Sequence, residues 1–172
     1  MNELVTSRRE LLIASLVAGL PMALFRSGAA AAGPDPTMTI VKPPAELVWS
    51  KPPDFPEKSV ESAPLWSKTS EAGLYYYLVK WHPGYMSAPH WYEEDRYCVV
   101  VSGTWWVASG DRFDPADTVA APAGSFIRRV AKTPHYDGVK ADGKEPAVIA
   151  ICGLGPIVFH NTEPNTPGWR KV

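Results

Sequence analysis

The chain has 172 residues, 45% of them hydrophobic and 20% charged, with a formal net charge of −1. This length argues for one domain rather than two, and the composition is that of a globular protein with a real core. No basic tract follows a phosphate backbone, which excludes a nucleic-acid partner. Seven Trp and seven Tyr predict aromatic walls around a core or pocket, while 18 Pro and 13 Gly predict many turns and short strands rather than long helices.

The first 32 residues read as an export leader outside the fold. Arg8 and Arg9 precede an uncharged run from Leu11 to Phe25; Arg26 and the small residues Ser27 to Ala32 follow. This is the order of a basic region, an apolar region and an Ala-x-Ala-type cleavage site, with cleavage expected between Ala31 and Gly33. The arginine pair resembles a twin-arginine signal, although Leu11 stands where that motif has Phe. The apolar run holds Gly19 and Pro21 and is short for a spanning helix. The expected product is a periplasmic protein with no stable membrane insertion after cleavage.

Residues 33–72 are rich in proline and predict an extended arm with at most a short strand near Leu47–Trp49. From Gly73 the character changes. Leu74–Trp81 is aromatic and β-branched and predicts a strand. Arg96–Val101, Thr104–Ala108, Ser125–Val130 and Ala147–Cys152 predict four more, each bounded by turn residues. Short strands at regular intervals predict an all-β sandwich or barrel over residues 73–172.

Two stretches carry the candidate chemistry. One runs from Gly84 through His90, Tyr92 and Arg96 to Gly103; the other runs from Pro122 and Gly124 to His135 at an expected turn. In order and spacing they resemble the two motifs of the cupins. The first motif is Gly, five residues, His-x-His, then Glu, six residues, Gly; the second is Pro-x-Gly followed by His. The resemblance covers about Leu74 to Phe159 and implies a single-domain jelly-roll barrel. It also implies a pocket holding one divalent ion, among iron, manganese, nickel and zinc, with positions left open for substrate.

The chain departs from that pattern at two of the four usual ligands. Tyr92 replaces the second His and Arg96 replaces the Glu, leaving His90 and His135. Tyr can ligate ferric iron; Arg cannot ligate, because it stays protonated. A fixed charge about 5 Å from a dication costs about 3 kcal/mol at an effective dielectric near 20. Glu94 shares strand parity with His90 and Tyr92, so it is the replacement ligand if the strand stays regular. Arg96 either grips an anionic substrate as a planar fork or pairs with a neighbouring acid such as Glu94. Tyr92 reads as a pocket-wall partner in the chemistry. His82 and His160 read as ordinary surface, and Cys98 and Cys152 as free thiols rather than a disulfide.

Three functions remain open on these residues. One is a metal-dependent enzyme of the dioxygenase, isomerase or lyase type. It would act on a small, anionic organic molecule, with His90, His135 and Glu94 as ligands and Arg96 and Tyr92 at the substrate. A second is a metal-free periplasmic binding protein that clamps an anion with Arg96. The third is metal-free acid–base catalysis by a histidine near neutral pKa beside Tyr92. The resemblance also implies a possible homodimer formed through the sheets.

Overall fold

Alternation of buried and exposed residues sets the architecture. In Arg96–Ser102 every second side chain, Arg96, Cys98 and Val100, is buried while Tyr97, Val99 and Val101 face outward. A computed structural model describes residues 37–172, in which strands dominate and the only helical elements are two 3-10 turns at Pro44–Glu46 and Pro115–Asp117. The expected leader, residues 1–32, lies outside the described residues. Residues 42–172 form one unit, and residues 37–41, which carry no helix or strand, fall outside it.

The strands, numbered in chain order, form two antiparallel sheets. The first holds β1 (Val60–Trp66), β2 (Gly73–Trp81), β10 (Ala147–Gly155), β5 (Arg96–Ser102) and β8 (Phe126–Arg129), in that spatial order. The second runs β11 (His160–Asn161), β4 (His90–Trp91), β9 (His135–Val139), β3 (Tyr85–Ser87), β12 (Trp169–Lys171). To it are added β6 (Thr104–Ser109), paired with β9, and β7 (Val119–Pro122), paired with β6. The five strands expected from sequence are present as β2, β5, β6, β8 and β10, and the expected all-β jelly-roll barrel is the fold observed.

The arm does not end where the proline content predicted. Val60–Trp66 pairs with β2 from Val60↔Trp81 to Trp66↔Tyr76, so the sheet begins well before Gly73. The prolines hid this strand. Pro64 is tolerated because β1 is an edge strand, and the register slips between Pro64 and Trp66. The strand expected near Leu47–Trp49 is absent; only Ser50 makes an isolated bridge, to Ser62.

The inner face of the first sheet is ordered in rows by its register. Tyr75, Gly153, Arg96 and Arg129 form the first row; Tyr77, Ile151, Cys98 and Ile127 the second; Val79, Ile149 and Val100 the third. The second and third rows belong to one core with Trp81 and Trp105. The register sets Cys98 opposite Ile151 and Cys152 opposite Tyr97, so the two thiols occupy opposite faces of the sheet and both are free.

The chain crosses between the sheets at Gly103, where β5 ends and β6 begins. Its φ is +71°, and an added Cβ would stand 2.4 Å from the Pro146 carbonyl oxygen. Only glycine meets both conditions without strain. Gly103→Ala is expected to cost about 2 kcal/mol or more of stability, read as a lowered denaturant midpoint with an unchanged slope.

Candidate functional site

A cavity of about 540 Å³ opens between the two sheets. Its polar wall is built by short pieces of β4, β9 and the first row of the five-stranded sheet. His90 and His135 are direct cross-strand partners on β4 and β9, and their ring centroids lie 4.5 Å apart. Asp137 lies two residues after His135, so its side chain shares the same face of β9. One ring nitrogen from each histidine and one Asp137 oxygen lie within 4.8 Å of one another.

Each ring is held in one orientation. His90 Nδ1 donates to the Ala88 carbonyl at 2.8 Å, and His135 Nδ1 donates to the Thr133 carbonyl at 2.9 Å. These bonds assign the proton to Nδ1 in both and leave each Nε2 with a free lone pair. Phe159 stacks on His90 with centroids 4.6 Å apart, closing its other face. Burial lowers the His90 pKa to about 4. Burial and the neighbouring His90 lower that of His135 to about 3, so both rings are neutral.

Asp137 is the opposite case. Burial opposes its charge, but the Arg129 guanidinium, with Arg96 adding to it, outweighs burial and holds the carboxyl below the usual range. Trp105 Nε1 donates to Oδ1 at 3.1 Å and Arg129 donates to Oδ2 at 3.0 Å. Ser87 Oγ accepts the Asp137 backbone N–H. The carboxylate is therefore ionised and fixed, with lone pairs to spare.

Arg96 enters the same cavity from β5 and is 6% exposed. Its guanidinium donates to the Tyr77 hydroxyl and lies over the Tyr92 ring at 4.1 Å. Its Nε has no hydrogen-bond partner, and no carboxylate among the described residues pairs with it. The anticipated pairing with Glu94 is not formed. Burial raises the pKa of Tyr92 and of Tyr77 against the opposing field of Arg96, so both phenols stay protonated.

Glu94 is the sequence expectation that the geometry corrects. The strand breaks after Trp91, residues 93 and 94 form a bend, and Glu94 is exposed. The parity argument needed a continuous strand through residue 94. Its neighbours fix the bend: Asp95 accepts from the Ala131 N–H at 2.8 Å and pairs with Arg128, and Lys132 N–H donates to the Tyr92 carbonyl. The carboxylate that lies beside the two histidines is that of Asp137. Sequence reasoning missed it because His135 was expected at a turn; as a strand, His135-Tyr-Asp137 would have signalled it by alternation. Tyr92 stands at the wall, edge-on to His90 at 5.1 Å. His160, expected as plain surface, stacks on Trp91 at 3.8 Å and lies 3.1 Å from Glu93.

The donor set fits a divalent ion. Two neutral imidazoles and one carboxylate make the two-His, one-carboxylate arrangement, and each ligand has an outer partner. Bonds of about 2.1 Å allow donors up to about 4.2 Å apart, so the group as it stands is slightly open.

No family model matches the chain, and no curated protein matches it. Solved structures do. The polyketide cyclase RemF from Streptomyces resistomycificus is similar with a TM-score of 0.61 at 12% identity, over 73% of this chain and 87% of that one. A cupin-2 domain protein from Rhodospirillum rubrum gives 0.54 at 14% identity, over 73% of this chain and 81% of that one. The DMSP lyase DddQ from Ruegeria pomeroyi gives 0.55 at 13% identity, over 72% and 64%. These likenesses show that the barrel has the cupin fold.

The two depressed histidines tie stability to pH in the metal-free protein. Both are neutral when folded and take up protons near pH 6.5 when unfolded. The unfolded chain therefore binds more protons below that pH. Their contribution is complete above about pH 6.5 and is lost as pH falls toward 4. The denaturant midpoint of metal-free protein is expected to fall by an amount worth a few kcal/mol over that window. The decline should be much smaller in a His90→Gln, His135→Gln double variant.

Proposed function

We propose that the barrel is a small-molecule enzyme that binds an organic anion at Arg96 and acts on it beside His90, His135 and Asp137. The observation that carries this is the Arg96 guanidinium, buried in a cavity wall with an unpartnered Nε and no ion pair to an acid among the described residues; the Arg129 Nε is also unpartnered, but Arg129 is ion-paired with Asp137. A buried charge without a counter-ion is costly, and a ligand carboxylate or enolate would supply the missing partner. That solved proteins of similar fold include a polyketide cyclase and a DMSP lyase supports chemistry on a small molecule.

His90 and His135, through Nε2, and Asp137, through one oxygen, would hold one divalent metal ion. Bound there, an iron, manganese, nickel or zinc ion would act as a Lewis acid on an oxygen of the substrate. The protein's own residues set the rest. Arg96 orients the anion and offsets its charge. Arg129 and Trp105 fix the Asp137 carboxylate. The protonated Tyr92 stands beside Arg96 and His90, where its hydroxyl can donate to a developing oxyanion. Phe159 and the aliphatic rows exclude water.

The leader-like residues 1–32 support export, so metal content is best measured on protein taken from the periplasm. Near-stoichiometric metal, lost in His90→Ala and in Asp137→Asn, is the expected result. Metal-free protein under all loading conditions would remove the metal; protein retained in the cytoplasm would remove export. Arg96→Met separates the roles further. Without ligand it is expected to be more stable than the parent by about 1–4 kcal/mol, because it deletes an unpaired buried charge. It should also lose binding of organic anions. A destabilised Arg96→Met that still binds them would overturn the assignment.

The outward face of the five-stranded sheet supports a homodimer. Leu74 and Leu154, which are register partners, and Tyr97, Val99 and Phe126 are all exposed on it. Sedimentation is expected to give twice the monomer mass for the parent and the monomer mass for a Val99→Glu, Phe126→Lys variant.

A further inference from the structure

The rows of the five-stranded sheet specify the anion more closely, on the reading that Arg96 binds one. We infer that the ligand has a single negative head and a flat or compact apolar body of about naphthalene size or larger, and is not a sugar acid. The charge count comes first. Two guanidiniums enter the cavity, from Arg96 and Arg129, and both stay protonated; the other charged lining residues away from the histidines, Lys68 and Glu61, are ion-paired with Glu71 and Lys80. Arg129 is already neutralised by Asp137 and also donates to the Ala108 and Tyr136 carbonyls. One positive charge is left, which matches one negative charge.

The shape follows from register. Arg96 stands in the first row, with Tyr75, Gly153 and Arg129. Of the next two rows, Ile151 and then Val79 and Ile149 line the cavity. Successive rows are two residues apart, or about 6.7 Å, so the apolar floor runs about 13 Å from the charge. The polar side-chain groups on this stretch of floor are few. The Tyr77 hydroxyl is taken by Arg96, and burial raises the Cys98 pKa to about 11, so it stays a thiol. Ser62, brought in by β1 opposite Val79, adds one hydroxyl. A cavity of about 540 Å³ accommodates a body of this length.

Selection against sugars is the consequence. A uronic acid carries several hydroxyls, and each one buried without a partner weakens binding by about tenfold. An apolar body gains affinity over the same floor in proportion to the area it covers. A second carboxylate would find its cation already paired with Asp137.

The test uses the full chain and isothermal calorimetry with four probes: naphthoate, naphthalenemethanol, a naphthalene dicarboxylate and glucuronate. Naphthoate is expected to bind about tenfold or more tighter than each of the other three. In Arg96→Gln its advantage over naphthalenemethanol should vanish. Glucuronate or the dicarboxylate binding as tightly as naphthoate would overturn the apolar monoanion while leaving Arg96 as an anion site. The alcohol binding as tightly as naphthoate in the parent would overturn the anion site itself. No binding by any probe would overturn both.

Discussion

Arg96 and Arg129 are register partners on neighbouring strands, with both side chains turned into the barrel. Like charges placed so are unfavourable on any sheet. Inside a barrel water cannot screen them, and two unit charges one strand spacing apart repel by about 3 kcal/mol at an effective dielectric near 20. The surroundings are arranged around this conflict. Arg129 is neutralised by Asp137, lies over the Trp105 ring at 5.0 Å and donates to two backbone carbonyls. Arg96 receives only phenol partners. Gly153, between Tyr75 and Arg96 in the row, is part of that arrangement: a Cβ there would come within 2.5 Å of the Tyr75 hydroxyl.

Burial decides the state of the histidines, and the same field supports it. Burial disfavours their charged forms, and the arginines add to that. Neutral rings whose Nδ1 protons are committed to backbone carbonyls are poor proton carriers at neutral pH but good electron-pair donors. This weighs against acid–base chemistry on a histidine near neutral pKa and in favour of ligation. The Asp137 carboxylate, kept ionised by the neighbouring cations, belongs to the same logic.

Much of the fold was legible because β2, β5 and β10 are long runs of aromatic, β-branched or other apolar residues bounded by turn residues. Such runs are enough to read as strands. β4 and β11 are two residues long, and β9 is buried on both faces, so none of them shows alternation. The site is built on those unreadable pieces. His90 and His135 were found only through motif spacing, whereas Asp137 lies outside the motif and was missed. Glu94 was chosen by extending a strand that in fact stops at Trp91. Parity reasoning fails wherever the chain bends, and nothing local in Glu93-Glu94-Asp95 announces the bend; its anchors are Ala131, Arg128 and Lys132, far along the chain.

The edge position of β1 has one more implication. Beyond the isolated bridge from Ser50 to Ser62, no strand among the described residues pairs with its outer side, and its inner neighbour, β2, is the longest strand of the sheet together with β10. A chain begun at Gly73, where the composition invites a cut, would leave the backbone of β2 unpaired along one side. It would also remove Phe55 and its contact with Trp81 from the cavity wall. Long, flat, apolar edges recruit other chains into the sheet. The proline-rich segment thus acts as a guard against aggregation: β1 covers the edge of β2, and Pro64 in β1 offers no N–H to the next molecule.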